Sequence, residues 1–341
     1  MGRVALLLAS LYLFVLGLGT LSRGGAAVMP LLEQTRIEGV LGLLGLGWLG
    51  ASAALSGSPV AAIALTLLDA GAVDTREALA MVSGSRFGAS FIVLVVGFIS
   101  YVRGRRRADG IYVGVVTLIT TVTVYAPATA IGLFLVDSRW IGRIAEGVPA
   151  PPGQGIQLTA GALPGSLAGH LPDGLVFAVG GALLLAAFWL FDRALPRFDP
   201  PPLRFEALVR RLRSRGPAFC VGALVTALTM SVAVSVTMLV PLTLKGIVRR
   251  EQLIPFIMGA NITTFVDTFV ASLLLDSPAA PAVVLAQVIP VSVVSLFLLG
   301  AIYGPYAAAV HGLAHRLLAR RSTLVLGLLA WGAVPAFLVV V

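Results

Sequence analysis

The sequence predicts an all-helical protein that crosses a membrane many times, and three observations carry that prediction. The 341 residues are 58% hydrophobic and only 11% charged, whereas soluble domains are about half apolar and about a quarter charged. The mean hydropathy is +0.99, and apolar stretches of about 20 residues, the length that spans a bilayer as a helix, recur along the chain. Basic residues fall in short clusters between those stretches, at 103–107, 193–215 and 316–321, which is the signature of cytoplasmic loops. The net charge of +9 is therefore read as topology and attraction to anionic lipid rather than as a nucleic-acid surface. Membrane lipids are expected partners and nucleic acid is not. Helices of one bundle share one core, so a single transmembrane domain over residues 1–341 is expected.

Helices are predicted at about 4–22, 76–102, 110–136, 172–192, 251–275, 279–303 and 322–340. The first follows Arg3 and lacks a small-x-small cleavage site after its apolar run, so it is read as a retained helix rather than a signal peptide. The loop 137–171, rich in Pro and Gly, is placed outside, and the linker 193–216 inside. Residues 311–321 are read as a short interfacial helix on the cytoplasmic side. His311 and His315 sit four residues apart there, but no third ligand accompanies them, so an interfacial face is favoured over a metal site. Cys220 stands alone, which excludes an intrachain disulfide, and it is expected to pack as a small apolar residue.

Two stretches need a different reading. The apolar run Pro217 to Val248 could cross once, yet Arg210, Arg211, Arg213 and Arg215 precede it and Lys245, Arg249 and Arg250 close it. Basic residues at both ends mean that both ends are cytoplasmic, so the run is read as a hairpin that enters the membrane and turns back. The turn is placed in the polar patch Thr226, Thr229, Ser231, Ser235 and Thr237, because unwound backbone at membrane depth needs protein or water partners. Residues 39–72 form a second candidate hairpin, flanked by the acid-leaning set Glu33, Glu38, Asp69, Asp74 and Glu77. Counting crossings from a cytoplasmic N-terminus puts every basic cluster inside only if both hairpins are re-entrant, one opening outward and the other inward.

Offsetting the sequence by 175 residues pairs Gly47 with Gly222, Ser56 with Ser231, Gly71 with Gly246 and Gly84 with Gly259, without a gap. Together with the opposed orientations, this predicts two inverted-topology repeats, each a re-entrant helical hairpin plus two transmembrane helices, with extra flanking helices. Repeat 1 covers about 39–136, and an external loop and linking helix cover 137–192. The cytoplasmic linker is 193–216, repeat 2 about 217–303, and the C-terminal helix 322–341.

The hairpins carry a recognisable pattern. In the second block Gly222, Thr226, Ala227 and Ser231 fit Gly-x-x-x-Thr-Ala-x-x-Gln-Ser-Ser-Ser, and Gly259, Ala260, Asn261, Ile262 and Thr264 fit Gly-Ala-Asn-Ile-Gly-Thr-Thr, with Thr263 in place of a glycine. Gly47, Ser56 and Ser58, then Gly84 and Gly88, give a weaker version in the first block. This resembles the sodium-dependent phosphate cotransporters, type II and bacterial relatives, over most of 39–303. The resemblance implies a secondary transporter of the cell membrane (the inner membrane in a bacterium), not an enzyme. It implies symport of an inorganic anion, phosphate, with Na+ as the coupling ion and no other cofactor. The chain departs from the pattern at the motif glutamines, which are Leu55 and Met230, and at the serine triplets, which read Ser-Gly-Ser and Ser-Val-Ala. A divergent transporter of another small anion or solute, or a non-transporting membrane scaffold of the same fold, therefore stays open.

Within the predicted spans the two most deeply placed ionisable residues are Arg86 and Asp267. A charge at that depth costs about 3 kcal/mol or more, so it faces a cavity or a partner. Asp267 is a candidate carboxylate ligand or counter-charge for a cation, and Arg86 a planar fork for an anion; the alternative is that the two pair and serve packing alone. Asn261, Thr263 and Thr264 follow Gly259, where a helix can unwind and expose carbonyls, or else they join helices by hydrogen bonds. Ser56, Ser58, Thr226 and Ser231 sit at the predicted hairpin breaks, where hydroxyls and half-helix N-termini suit an oxyanion or cap the local backbone. With sodium as the coupling ion that the resemblance implies, its candidate ligands are Ser231, Asn261 and Asp267. No Gly-rich phosphate loop with its Lys, no HExxH and no Ser/His/Asp pattern is present.

Overall fold

A bilayer offers no water to unpaired peptide groups, so a spanning chain satisfies them within helices. The computed structural model describes residues 2–35, 37–102, 109–147, 171–194 and 214–341, and these are helical almost throughout, with no strand among them. Seven helical segments have the length and apolar composition of membrane spans: Gly2–Thr35, Thr75–Ser100, Asp109–Leu135, Asp173–Ala194, Arg250–Leu274, Ala279–Gly300 and Arg321–Val340. They coincide with the seven predicted helices. The chain is thus a polytopic, all-α membrane protein. The basic cluster 103–107 and nearly all of the linker 193–216 and the loop 137–171 lie outside the described residues, apart from a short helix at 139–146.

The elements follow in order. Helix α1 is Gly2–Gly24 and α2 Met29–Thr35, joined by a 3-10 turn. Then come α3 Gly39–Ala54, α4 Ser58–Asp69, α5 Thr75–Ser100, α6 Asp109–Leu135, α7 Arg139–Glu146 and α8 Asp173–Ala194. The second half holds α9 Arg215–Thr229, α10 Val232–Thr237, α11 Leu239–Leu244, α12 Arg250–Thr263 and α13 Val266–Leu274. It ends with α14 Ala279–Gly300, α15 Tyr303–Ala319 and α16 Arg321–Val340. At 1.5 Å per residue, α3, α4 and α9 are each shorter than the roughly 30 Å hydrocarbon core, and each is followed at once by a break in the helix.

The local geometry of 39–77 recurs in 215–252 at the 175-residue offset read from the glycines. Helix α3 ends on Leu55 and α9 on Met230, both left-handed, with φ of 52° and 48°. Gly71 and Gly246 also match, with φ of 72° and 69°. The turns they make close with the same bonds: Ala72 N donates to Leu67 O and Ile247 N to Leu242 O, each at 2.9 Å. The next helix starts the same way twice. The Glu77 side chain accepts from Asp74 N at 3.0 Å, and the Gln252 side chain accepts from Arg249 N at 2.7 Å. Neither Gly71 nor Gly246 has an atom within 4 Å of where a Cβ would stand, so alanine there meets only the left-handed backbone penalty. Gly246→Ala is expected to cost about 1–2 kcal/mol, read as a small drop in unfolding temperature; an unchanged value would mean the turn is not held.

Within each block a crossing helix packs on the first hairpin helix at backbone contact. A Cβ on Gly47 would lie 2.2 Å from Met81 O, and one on Gly222 2.1 Å from Phe256 O. From the other side, Gly84 faces Leu44 O and Gly259 faces Phe219 O at 2.0 and 2.1 Å. Between blocks the contacts are exchanged. Helix α10 packs on α5, and its counterpart α4 packs on α13. Outside this core α1 lies on α8, and α16 lies on α3 with most of its surface outward.

Three expectations are corrected. The span 250–274 is interrupted at Thr264 and Phe265 rather than unwound after Gly259, whose missing side chain serves close packing against Phe219 instead. The helix that carries His311 and His315 begins at Tyr303, well before His311, and ends at Ala319. Cys220 is exposed on the outward face of α9 and does not pack inside; its neighbours Ala218 and Val221 take the buried positions.

Candidate functional site

Arg86 lies eleven residues into α5, about 17 Å from its start, in a helix whose surroundings are otherwise apolar. Its side chain is 4% exposed, and among the described residues no carboxylate forms an ion pair with it. The planar fork divides instead: Nη1 donates to the Thr264 hydroxyl at 3.3 Å and Nη2 to the Thr268 hydroxyl at 2.5 Å. The guanidinium stacks on Phe265, 4.5 Å from the ring centre. Thr264, Phe265 and Thr268 all come from the break between α12 and α13, so the interruption of that helix is what shapes the cradle for Arg86.

Asp267, 6% exposed, completes the network. Its Oδ1 accepts from the Thr268 hydroxyl at 2.9 Å and from Thr268 N at 2.5 Å. The two buried charges are thus joined through Thr268. The expectation of a direct pair between them is replaced by this relay, because the threonine stands between the two groups. Ser58, the first residue of α4 and itself buried, stands beside the Asp267 carboxylate. Asn261 is held from behind by Tyr125 of α6, whose hydroxyl donates to the Asn261 backbone carbonyl at 2.7 Å.

Three polar atoms in this network are buried and make no hydrogen bond of acceptable geometry: Arg86 Nε, Asn261 Nδ2 and Asp267 Oδ2. Two are donors and one is an acceptor. A buried polar group left unmade costs about 1–3 kcal/mol, more when charged, so these three groups, on α5 and on either side of the α12–α13 break, leave donors and an acceptor that a ligand can satisfy.

The remaining predicted residues divide. Ser58, Arg86, Thr264 and Asp267 come together, with Asn261 on α12 one turn before Thr264, while Thr226 and Ser231 serve the break between α9 and α10. There the Thr226 hydroxyl donates to Ser235 Oγ at 2.6 Å, and Ser231 Oγ accepts from Val234 N at 3.2 Å as a helix cap. Thr263 ties α12 to α9 by donating to Ala223 O at 2.8 Å. Ser56 is half-buried at the first break, its N–H bonded to Ala51 O. Thr268 and Tyr125 were not picked out from the sequence: both sit in apolar runs where a lone hydroxyl gives no periodic signal. His311 pairs with Tyr112, Nδ1 to hydroxyl at 2.6 Å, and so joins α15 to α6.

The seven spans and the polar network buried between the helices define a polytopic membrane protein with charged groups held inside its bundle. Residues 183–319 match the family described as Na+/Pi-cotransporter. The resemblance read from 222–231 and 259–264 is therefore borne out over the part of the chain that carries both motifs, whereas the first block, with its weaker motif, lies outside the match. No curated protein and no solved structure matches the chain.

Proposed function

We propose that the protein is a secondary active transporter that carries an inorganic anion, phosphate, together with sodium, by alternating access around the network of Arg86, Thr264, Asp267 and Thr268. The observation that carries this reading is the set of unmade hydrogen bonds, two donors and one acceptor in one buried place. Arg86 Nε and the Asn261 amide suit a phosphate oxygen, and Asp267 Oδ2 suits a hard cation. Sodium is assigned to Asp267, with Asn261 and Ser231 as its further candidate ligands. The hydroxyls of Ser56, Ser58 and Thr226 at the helix breaks, and of Thr263 on α12, are assigned supporting roles around it.

In this reading α3–α4 and α9–α11 are re-entrant hairpins of two inverted repeats. Their support is the matched turn geometry at a constant offset, and the exchange of contacts in which each second hairpin helix packs on the other block's crossing helix. Such exchange is what a two-fold relation produces, and the basic clusters put its axis in the membrane plane. Rocking one block against the other alternately opens the network to the two sides.

Labelled phosphate uptake into proteoliposomes tests the assignment. Uptake is expected to rise several-fold with an inward sodium gradient, and Asp267→Ala is expected to abolish it. Absence of uptake with and without sodium, by folded protein, would remove phosphate as the cargo. A second reading, transport of a different small solute, is favoured by one feature: Leu55 and Met230 put apolar side chains where the family motif has amides.

A further inference from the structure

A cavity of about 260 Å³ opens beside the network, between α1, α8, α13 and the second hairpin break. Its walls are nearly all apolar: Leu11 and Phe14 from α1, Phe188 and Phe191 from α8, and Met230 at the left-handed turn. Asp267 is among the residues that line it; its Oδ2, buried just behind the wall with Ser58 nearby, makes no hydrogen bond of acceptable geometry. No Lys or Arg is among the described residues that line it; Arg86, the nearest buried cation, is engaged by Thr264 and Thr268. Leu11 and Val270 are 55% and 40% exposed on the outer surface, which for a spanning bundle is the lipid side.

An aromatic-lined apolar slot with a carboxylate as its one unpartnered polar group selects against anions and against uncharged polar solutes. An anion meets a like charge in low dielectric, and a sugar or amino acid leaves its hydroxyls or carboxylate unmade. It suits a cation with an apolar tail, because the ammonium supplies the missing partner of Asp267 and the tail replaces void. Taking the roughly 30 Å³ of a liquid water as the volume per heavy atom, the cavity holds about eight or nine such atoms.

We propose that this cavity binds the ammonium group of an amphipathic primary amine, with Asp267 as its counter-ion and its chain between Phe14, Phe188, Phe191 and Met230. The site shares with the transport reading only the assignment of Asp267 to a cation. It also accounts for Met230: an apolar residue at the hairpin turn forms one wall of the slot, where an amide would intrude.

Octylamine, octanol and octanoate, each titrated against the whole protein in phosphatidylcholine nanodiscs without sodium or phosphate, form the test, read by thermal unfolding. Octylamine is expected to bind at least tenfold more tightly than octanol, and octanoate not to bind. Asp267→Asn is expected to erase the preference for the amine; Ala187→Leu, which fills the cavity from a buried wall position, and Met230→Gln are expected to weaken it with Asp267 intact. Equal binding of octylamine and octanol, or an undiminished preference in all three variants, would overturn the proposal. Repeating the titration with phosphatidylethanolamine in the nanodisc separates sources. Competition assigns the site to a lipid amine and no competition to a free amine, and either supports the amine site. Sodium-driven phosphate uptake is measured without amine, so its failure is distinguishable from failure here.

Discussion

Gly259→Ala is expected to cost about 3 kcal/mol of stability, at the upper end for overpacking, and to be among the most damaging single-methyl changes in the chain. A Cβ at that position would lie 2.1 Å from Phe219 O and 2.8 Å from Ala223 N. Both are backbone atoms of a packed helix, so no rotamer change relieves the contact and α9 and α12 must separate. Gly84→Ala, with Leu44 O at 2.0 Å, is expected to behave alike in the first block. Chemical unfolding in nanodiscs measures both, with Gly246→Ala as the control that strains the turn without crowding it. Parent-like unfolding of Gly259→Ala would show that the helices do not approach at backbone contact.

Removing Arg86 is expected to abolish transport and to destabilise the fold by about 3–5 kcal/mol, since it leaves a buried carboxylate without compensation. The geometry sharpens this expectation. The guanidinium reaches two hydroxyls, Thr264 and Thr268, from one plane, which the point charge of an ammonium does not reproduce. Arg86→Lys is therefore expected to keep most of the stability and lose transport by at least about tenfold, or about 1.4 kcal/mol. The double variant Arg86→Ala, Asp267→Ala should recover part of the stability lost by Arg86→Ala alone, with an interaction energy of about 1–3 kcal/mol. Strict additivity of the two changes would show that Thr268 does not connect them.

How far the site was legible before the fold was known differs from residue to residue. Arg86 and Asp267 stand out because ionised groups are rare in apolar spans, and both are in the buried network. Thr226 and Ser231, marked by the motif, prove to close the hairpin break itself. Thr268 was passed over because one threonine in an apolar helix looks like any other; only the folded chain places it between two charges separated by 181 positions. The break at Thr264 and Phe265 was likewise missed, because no Pro or Gly punctuates it. Tertiary contacts to Arg86 hold it open.

The sequence alone determined the membrane class, the seven spans and the positions of both short-helix pairs, since each is a matter of local composition, length and charge that no distant contact overrides. It also determined the 175-residue periodicity, but only as four paired residues in a chain rich in glycine. The tertiary structure added that left-handed turns at Leu55 and Met230, and at Gly71 and Gly246, recur at that spacing, as do the caps at Glu77 and Gln252. It also decided which hydroxyls meet which charges, and which polar atoms remain unmade. Those features arise where helices far apart in the chain converge, and hydrophobic periodicity reports which face of a helix is buried, never what is buried against it.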